Sequence, residues 1–304
     1  MTTPTRFPWL VGCAHLLRPY QWSKNLLLFL PSLLAHTGLG GPRLPALFAA
    51  FISFSLAASA VYVLNDYVDI EADRRHPRKR FRPLASGAVP RKLALPLALS
   101  VACGSLLIGF LGLPRPFMGV LLAYLTVNLA YSFAVKQVPV LDVVVLTQMY
   151  VLRIVAGGMA ADVAVTDWLL GFSLFQFLSL AFAKRYAELR EARAAGGDDS
   201  TLIRGYRLAD WTSVRMLGVS SGMLAALVMA LYIRSPEVTR LYAQPKWLWL
   251  VCSALIFWNG RLWLLADRGD MLDDPVAFAL RDRVSYWTGL FLTAVLLAAR
   301  FVPM

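Results

Sequence analysis

Three aspartates, Asp66, Asp69 and Asp73, stand at i, i+3 and i+7 in the run Asn65-Asp66-Tyr67-Val68-Asp69-Ile70-Glu71-Ala72-Asp73. On a helix turning about 100° per residue they fall within an arc of roughly 60° and face one way, while Glu71 points elsewhere. The run comes directly after the apolar stretch Phe51 to Leu64. A hydrophobic helix ending in a row of carboxylates is costly unless a cation sits against them. Acids at a helix C-terminus also oppose its dipole, which argues against a merely solvated end. Oxygen ligands in this spread suit Mg²⁺, which bridges carboxylates to a substrate phosphate, with Mn²⁺ as a substitute.

The elements that must hold these aspartates are membrane helices. The 304-residue chain is 58% hydrophobic and only 16% charged, and its mean hydropathy is +0.59. Such a composition excludes an ordinary soluble domain and points to a polytopic membrane protein. Nine stretches are near the length a bilayer requires: 24–38, 44–65, 93–113, 117–135, 139–161, 167–183, 213–233, 246–266 and 284–302. The expected fold is therefore all-α, with nine transmembrane helices surrounding a cavity open to the cytoplasm, in one domain over 1–304. Phe7 to Leu17 lacks a small-residue cleavage site, and residues 1–23 read as an interfacial leading segment. Cys13, Cys103 and Cys252 are scattered and form neither a metal spacing nor a disulfide framework. The histidines His15, His36 and His76 have no metal spacing either.

Charge sets the orientation. With the aspartate-rich end inside, most of the 30 Lys and Arg residues are cytoplasmic, as the positive-inside rule requires. The expected location is a bacterial-type inner membrane, with the site facing the cytoplasm. The net charge of +12 suits anionic lipid headgroups as well as a polyanionic substrate, and no nucleic acid is implied. Two cytoplasmic loops stand out, about 66–92 and 184–212. The first carries Arg74-Arg75-His76-Pro77-Arg78-Lys79-Arg80-Phe81-Arg82-Pro83, in which Pro77 should end the helix. The second continues a helix through Lys184-Arg185-Tyr186-Ala187-Glu188-Leu189-Arg190-Glu191 and breaks at Ala194 to Asp199.

These residues carry a resemblance. Asn65-Asp-x-x-Asp69-x-x-x-Asp73 after a second membrane helix resembles the UbiA-type intramembrane prenyltransferase superfamily. Four further motifs narrow it: Arg18-Pro19-Tyr20-Gln21-Trp22-Ser23-Lys24-Asn25; His76-Pro77-x-Lys79-Arg80-x-Arg82-Pro83-x-Ala85-Ser86-Gly87; Tyr131-x4-Lys136; and Ala183 to Leu189. Together they are similar to the branch of polyprenyl-phosphate phosphoribosyltransferases, the decaprenyl-phosphate enzyme among them. The resemblance implies a second aspartate-rich motif after the sixth span, completing a Mg²⁺–diphosphate clamp. Here that place holds Lys184, Arg185, Glu188 and Glu191. A cationic surface suits direct phosphate contact better. In the phosphoribosyltransferase branch, the resemblance implies that the diphosphate belongs to phosphoribosyl pyrophosphate (PRPP) and that a polyprenyl phosphate is the acceptor.

On this reading Asp66, Asp69 and Asp73 are the catalytic metal ligands. The candidate substrate-binding residues are Lys24, Asn65, Lys79, Arg80, Arg82, Tyr131, Lys136, Arg153, Lys184, Arg185 and Glu188. Arg80 and Arg82, just beyond the metal motif, are assigned to PRPP; Lys184, Arg185 and Arg153 are assigned to the lipid phosphate. Bland roles compete at each. Lys24 could snorkel to the interface, Lys184 and Glu188 could form a structural i,i+4 pair, and Arg153, inside a span, could pair with Asp142. Asn128, Gln148 and Gln176 read as interhelical hydrogen-bonding groups. Two other functions stay in view. An aromatic or haem prenyltransferase should carry the second aspartate motif; a transporter or lipid-binding scaffold should carry ionisable groups at the midplane. The partners expected are PRPP, polyprenyl phosphate and membrane lipids, and a homo-oligomer is left open.

Overall fold

The computed structural model describes residues 8–35, 42–75, 79–271, 275–279 and 281–302. His36, His76, Pro77 and Arg78 lie outside the described residues. The chain is helical, with α1 (Pro8–Leu16), a 3₁₀ segment (Pro19–Phe29), α2 (Leu30–Leu34), α3 (Arg43–Val68), α4 (Ile70–Arg75), α5 (Arg91–Gly112), α6 (Arg115–Phe133) and α7 (Leu141–Ala161). There follow α8 (Asp167–Ala194), a hairpin of β1 (Leu202–Ile203) and β2 (Tyr206–Arg207), α9 (Trp211–Ile233), α10 (Pro236–Leu241), α11 (Trp249–Arg268), α12 (Pro275–Ala279) and α13 (Arg283–Phe301).

Among the described residues, seven helical segments are long and apolar enough to cross a membrane. They coincide with seven of the nine expected stretches. The stretch 167–183 opens α8, which runs on for 28 residues into the charged sequence Lys184 to Arg193. The first stretch differs from a regular span: it is a 3₁₀ segment followed by a five-residue α-helix. Its sequence explains the difference. Gln21, Ser23, Lys24 and Asn25 interrupt the apolar run, and Pro31 cannot donate to a helix ladder.

The chain forms two compact units. Unit 1 comprises residues 1–133 and 152–164, and unit 2 comprises 134–151 and 165–304, so α7 contributes to both. In unit 1, α3 is the central helix: 61% of its apolar window is buried, against 17% for α5, which packs along it with a broad face left for lipid. Ser53 and Ser105 bond reciprocally to each other's carbonyls, letting α3 and α5 approach closely. The 3₁₀ segment also packs on α3 through Trp22 Nε1 donating to Ser59 Oγ and Asn25 Nδ2 donating to Ser55 Oγ. Gly157 of α7 lies against the backbone carbonyl of Leu28, where an added Cβ would collide with it.

In unit 2, α8 packs along α9, and α11 packs on α9. Gln176 and Asn259 exchange two amide hydrogen bonds inside this bundle, the interhelical role expected of Gln176, and Asn259 Nδ2 also donates to Gly222 O. Asn128 instead donates within its own helix, to Tyr124 O. Arg261, a charge within a span, is answered by Asp282 through two bonds of 2.7 and 3.0 Å. That pairing offsets the cost of an intramembrane guanidinium.

Backbone atoms cannot yield as a flexible side-chain end can. Gly157→Ala should therefore destabilise the protein by about 1–3 kcal/mol, the scale of an overpacked core. A lowered melting midpoint in detergent checks this, and an unchanged midpoint refutes the close approach.

Candidate active site

The aspartate run departs from the single helix expected for it: the helix breaks at Asp69, and the three carboxylates are not placed together as a metal-ligand set. α3 ends at Val68, Asp69 is its C-cap, and Asp73 sits in α4. The amides of Asp69 and Asp73 still bond to the carbonyls of Asn65 and Asp69, at 2.9 and 2.8 Å. The i→i+4 ladder therefore crosses the joint and keeps Asp66 and Asp73 on one side. Both are buried, 2% and 3% exposed, while Asn65 and Asp69 are half-buried.

Two arginines answer these carboxylates. Asp66 Oδ1 accepts from Arg18 Nη2 at 2.6 Å and from Arg82 Nη1 at 3.1 Å. The same Arg82 nitrogen donates to Asp73 Oδ2 at 2.7 Å. Arg82 thus joins the two aspartates directly. Arg18 was not a site candidate from the sequence, although it opens the motif Arg18-Pro19-Tyr20. Its backbone is left-handed, φ 50°, and its guanidinium lies over the Tyr62 ring at 5.2 Å. Lys79 and Arg80 form the exposed turn Lys79–Phe81, with the Arg80 guanidinium over the Phe81 ring at 4.8 Å.

Arg153 is 5% exposed within unit 1. Its Nε donates to Asn25 Oδ1 and its Nη2 to Tyr124 Oη, both at 2.8 Å. Arg153 does not pair with Asp142 as expected, because Asp142 is bound by Arg185 and Tyr206. Asn25, 1% exposed, joins Arg153 to Ser55 of α3; its place beside Lys24 in the motif Arg18 to Asn25 is the signal the sequence offers for it.

In unit 2 a second polar network forms around Asp142, which is fully buried. Arg185 Nε donates to Asp142 Oδ2 and Arg185 Nη1 to Glu188 Oε2, each at 2.5 Å. Tyr206 Oη donates to Asp142 Oδ1 at 2.7 Å and accepts from Val140 N–H at 2.7 Å. Arg204 Nε lies 3.4 Å from Glu188 Oε2. Glu188 thus bonds Arg185 and lies beside Arg204, and Arg185 is 1% exposed. The hairpin turn Arg204-Gly205 has positive φ at both residues, the geometry that matches strand twist. A Cβ on Gly205 would collide with the Gln137 carbonyl, so the turn sits directly on the Lys136 loop. Val140, β-branched at φ 66°, is strained there and held by Tyr206.

Electrostatics follow from these contacts. Burial and donation to Asp142 push the Tyr206 phenol well above its ordinary value, so it remains a donor. Burial alone would raise the Glu188 carboxyl; Arg185, Arg204 and Lys184 outweigh that and hold it below the usual carboxylate range. Lys24, Tyr131, Lys136 and Lys184 are all half-buried. Lys184 borders a small apolar cleft with Leu146, Tyr150, Leu180 and Val276. Among the described residues, no group of three or more His, Cys, Asp or Glu side chains is placed to hold a metal alone.

The comparisons with known proteins agree with this architecture. Residues 25–289 match the UbiA prenyltransferase family. A decaprenyl-phosphate phosphoribosyltransferase of Mycolicibacterium smegmatis is 35% identical over 280 residues, covering 90% of this chain and 87% of that protein. The uncharacterized protein y4nM of Sinorhizobium fredii is 37% identical over 287 residues, 93% of this chain, which spans only 55% of that relative's length. The structure of a UbiA homolog from Archaeoglobus fulgidus bound to DMAPP and Mg²⁺ has the same fold, with a TM-score of 0.67 at 16% identity, covering 94% of this chain and 99% of that one. The chain belongs to the UbiA prenyltransferase family and is an integral membrane protein of that enzyme class.

The depressed Glu188 pKa has a pH consequence. A carboxyl lowered on folding contributes stability above its unfolded pKa and loses it as pH falls through the folded value. Glu188→Gln should cost about 1–2 kcal/mol at neutral pH, and its deficit against wild type should shrink below the ordinary 4.5. Melting curves across pH check this; a deficit that does not change with pH contradicts it.

Proposed function

We propose that the chain transfers the 5-phosphoribosyl group of PRPP to a polyprenyl phosphate and releases pyrophosphate. The proposed setting is nine membrane segments in a bacterial-type inner membrane, with the aspartates facing the cytoplasm. The observation that carries the reading is the unequal chemistry of the two polar clusters. Unit 1 offers a buried carboxylate pair, Asp66 and Asp73, beside Arg82. In unit 2, Asp142 and Glu188 are taken up by Arg185, Tyr206 and Arg204, so this place presents a basic cluster rather than a second carboxylate pair. A single metal–diphosphate clamp suits a diphosphate donor with a monophosphate acceptor. The 35% identity to a decaprenyl-phosphate phosphoribosyltransferase supports the same choice.

The residues fit a divalent cation. Two carboxylates that reach one Arg82 nitrogen can also reach one cation, and Mg²⁺ is commonly held by one or two carboxylates completed by substrate phosphates. Asp66 and Asp73 would hold it, with Asp69 adjacent. Bound there, Mg²⁺ or Mn²⁺ supplies Lewis-acid stabilisation of the charge growing on the leaving pyrophosphate. Arg82, Arg80 and Lys79 contact the PRPP phosphates. Arg153, fixed by Asn25 and Tyr124, orients an anionic headgroup. The lipid phosphate is already anionic near neutral pH, so its oxygen attacks C1 of the ribose without a strong general base. The C1–oxygen bond to pyrophosphate breaks, and displacement from α-configured PRPP inverts C1 to a β linkage.

Purified protein with radiolabelled PRPP, Mg²⁺ and polyprenyl phosphate should carry label into the organic phase, and EDTA should abolish the transfer. Asp66→Asn should lower the rate at least about 10²-fold, the scale for a strong electrostatic stabiliser. Label transfer from a prenyl diphosphate but not from PRPP would instead assign an aromatic or haem acceptor.

A further inference from the structure

We infer that Arg82 and Arg18 are built-in counter-ions that make cation capture at Asp66 and Asp73 conditional on an arriving diphosphate. The inference rests on the reading that these aspartates take a divalent cation together with a diphosphate. It does not depend on whether that diphosphate is PRPP.

The cluster is closed on itself. One Asp66 oxygen accepts from both arginines, at 2.6 and 3.1 Å, and one Asp73 oxygen accepts from Arg82 at 2.7 Å. The aspartate side chains are 2% and 4% exposed, so little water is present to screen them. Two carboxylates meet two guanidiniums, and the formal charge is zero. A bare divalent cation entering this cluster competes with guanidinium groups for the same carboxylates and leaves a buried excess of positive charge, which is costly. A diphosphate changes the balance. It brings its own negative charge, and its oxygens match the guanidinium fork. As Arg82 turns from carboxylate to phosphate, the carboxylate oxygens become available to the cation that the diphosphate also binds.

The two arginines are not equivalent. Arg18 is tethered: it precedes Pro19, its backbone is held at φ 50°, and its guanidinium lies over the Tyr62 ring. Arg82 follows the exposed turn Lys79–Phe81, and its side chain keeps 29% of its surface exposed, against 19% for Arg18. Arg82 is therefore the exchanging partner and Arg18 the standing counter-ion of Asp66. The arrangement acts as a specificity device. It disfavours a metal ion without substrate and orders assembly so that cation and diphosphate arrive together.

The test is Mn²⁺ binding by the full chain in detergent, followed by electron paramagnetic resonance at mildly alkaline pH, with and without pyrophosphate. In the wild type, pyrophosphate should tighten Mn²⁺ binding at least about 10-fold, whereas Arg82→Gln should bind bare Mn²⁺ about 10-fold tighter than wild type and gain less than about 3-fold from pyrophosphate. Arg82→Lys, which keeps the charge, should stay close to wild type for bare Mn²⁺. If Arg82→Gln binds bare Mn²⁺ no tighter while pyrophosphate still strengthens wild-type binding, the counter-ion role is overturned and the metal reading stands. If Mn²⁺ binds neither protein even with pyrophosphate, both are overturned. Should Arg82→Gln fail to elute as a folded species, Arg18→Gln is titrated in the same way, and it too should bind bare Mn²⁺ more tightly.

Discussion

Every ion buried in this molecule must be answered by a group fixed in place, because neither lipid nor a packed helix bundle solvates charge. Asp66 and Asp73 are answered by Arg18 and Arg82, Asp142 by Arg185 and Tyr206, and Arg153 by Asn25 and Tyr124. These contacts join segments far apart in sequence: Arg18 to Asp66, Asn25 to Arg153, Asp142 to Arg185. Each cluster therefore positions chemistry and closes tertiary structure at once. Removing one partner leaves a buried charge uncompensated, which costs more than the lost contact.

The two units solve this problem differently. In unit 1 Asp66 and Asp73 share Arg82, which is partly exposed, whereas Arg153 is buried between Asn25 and Tyr124. In unit 2 the Asp142–Arg185 pair is fully buried. Arg185 is held from two sides, and Gly205 of the hairpin turn lies close against the Gln137 carbonyl. Tyr206 also holds Val140 in a strained conformation directly after the Lys136 loop. A carboxylate pair with a partly exposed partner belongs where a ligand arrives, and a buried network belongs where a loop must stay in place. Away from charge, the bundles also use neutral polar pairs, Ser53 with Ser105 and Gln176 with Asn259, which bond across helices without burying an ion.

Composition and periodicity alone determined that this chain is a helical membrane protein, because apolar runs of bilayer length have few other fates. The spacing of Asp66 and Asp73 determined that these two carboxylates lie on one side, since that is a property of helix geometry and survives the break at Asp69. The motifs around them pointed to the family. What the sequence could not decide was pairing. Arg153 has Asp142 eleven residues away in the same helix, but the fold commits Asp142 to Arg185 and Tyr206, and Arg153 to Asn25 and Tyr124. Arg185 looks like a phosphate ligand from its position and is a buried tie in the structure. Arg18 looks like an interfacial charge and is a direct partner of Asp66. Helix periodicity is local and is written in neighbouring residues, whereas the choice among several arginines for one carboxylate is made by distance in space, which only the packed chain sets.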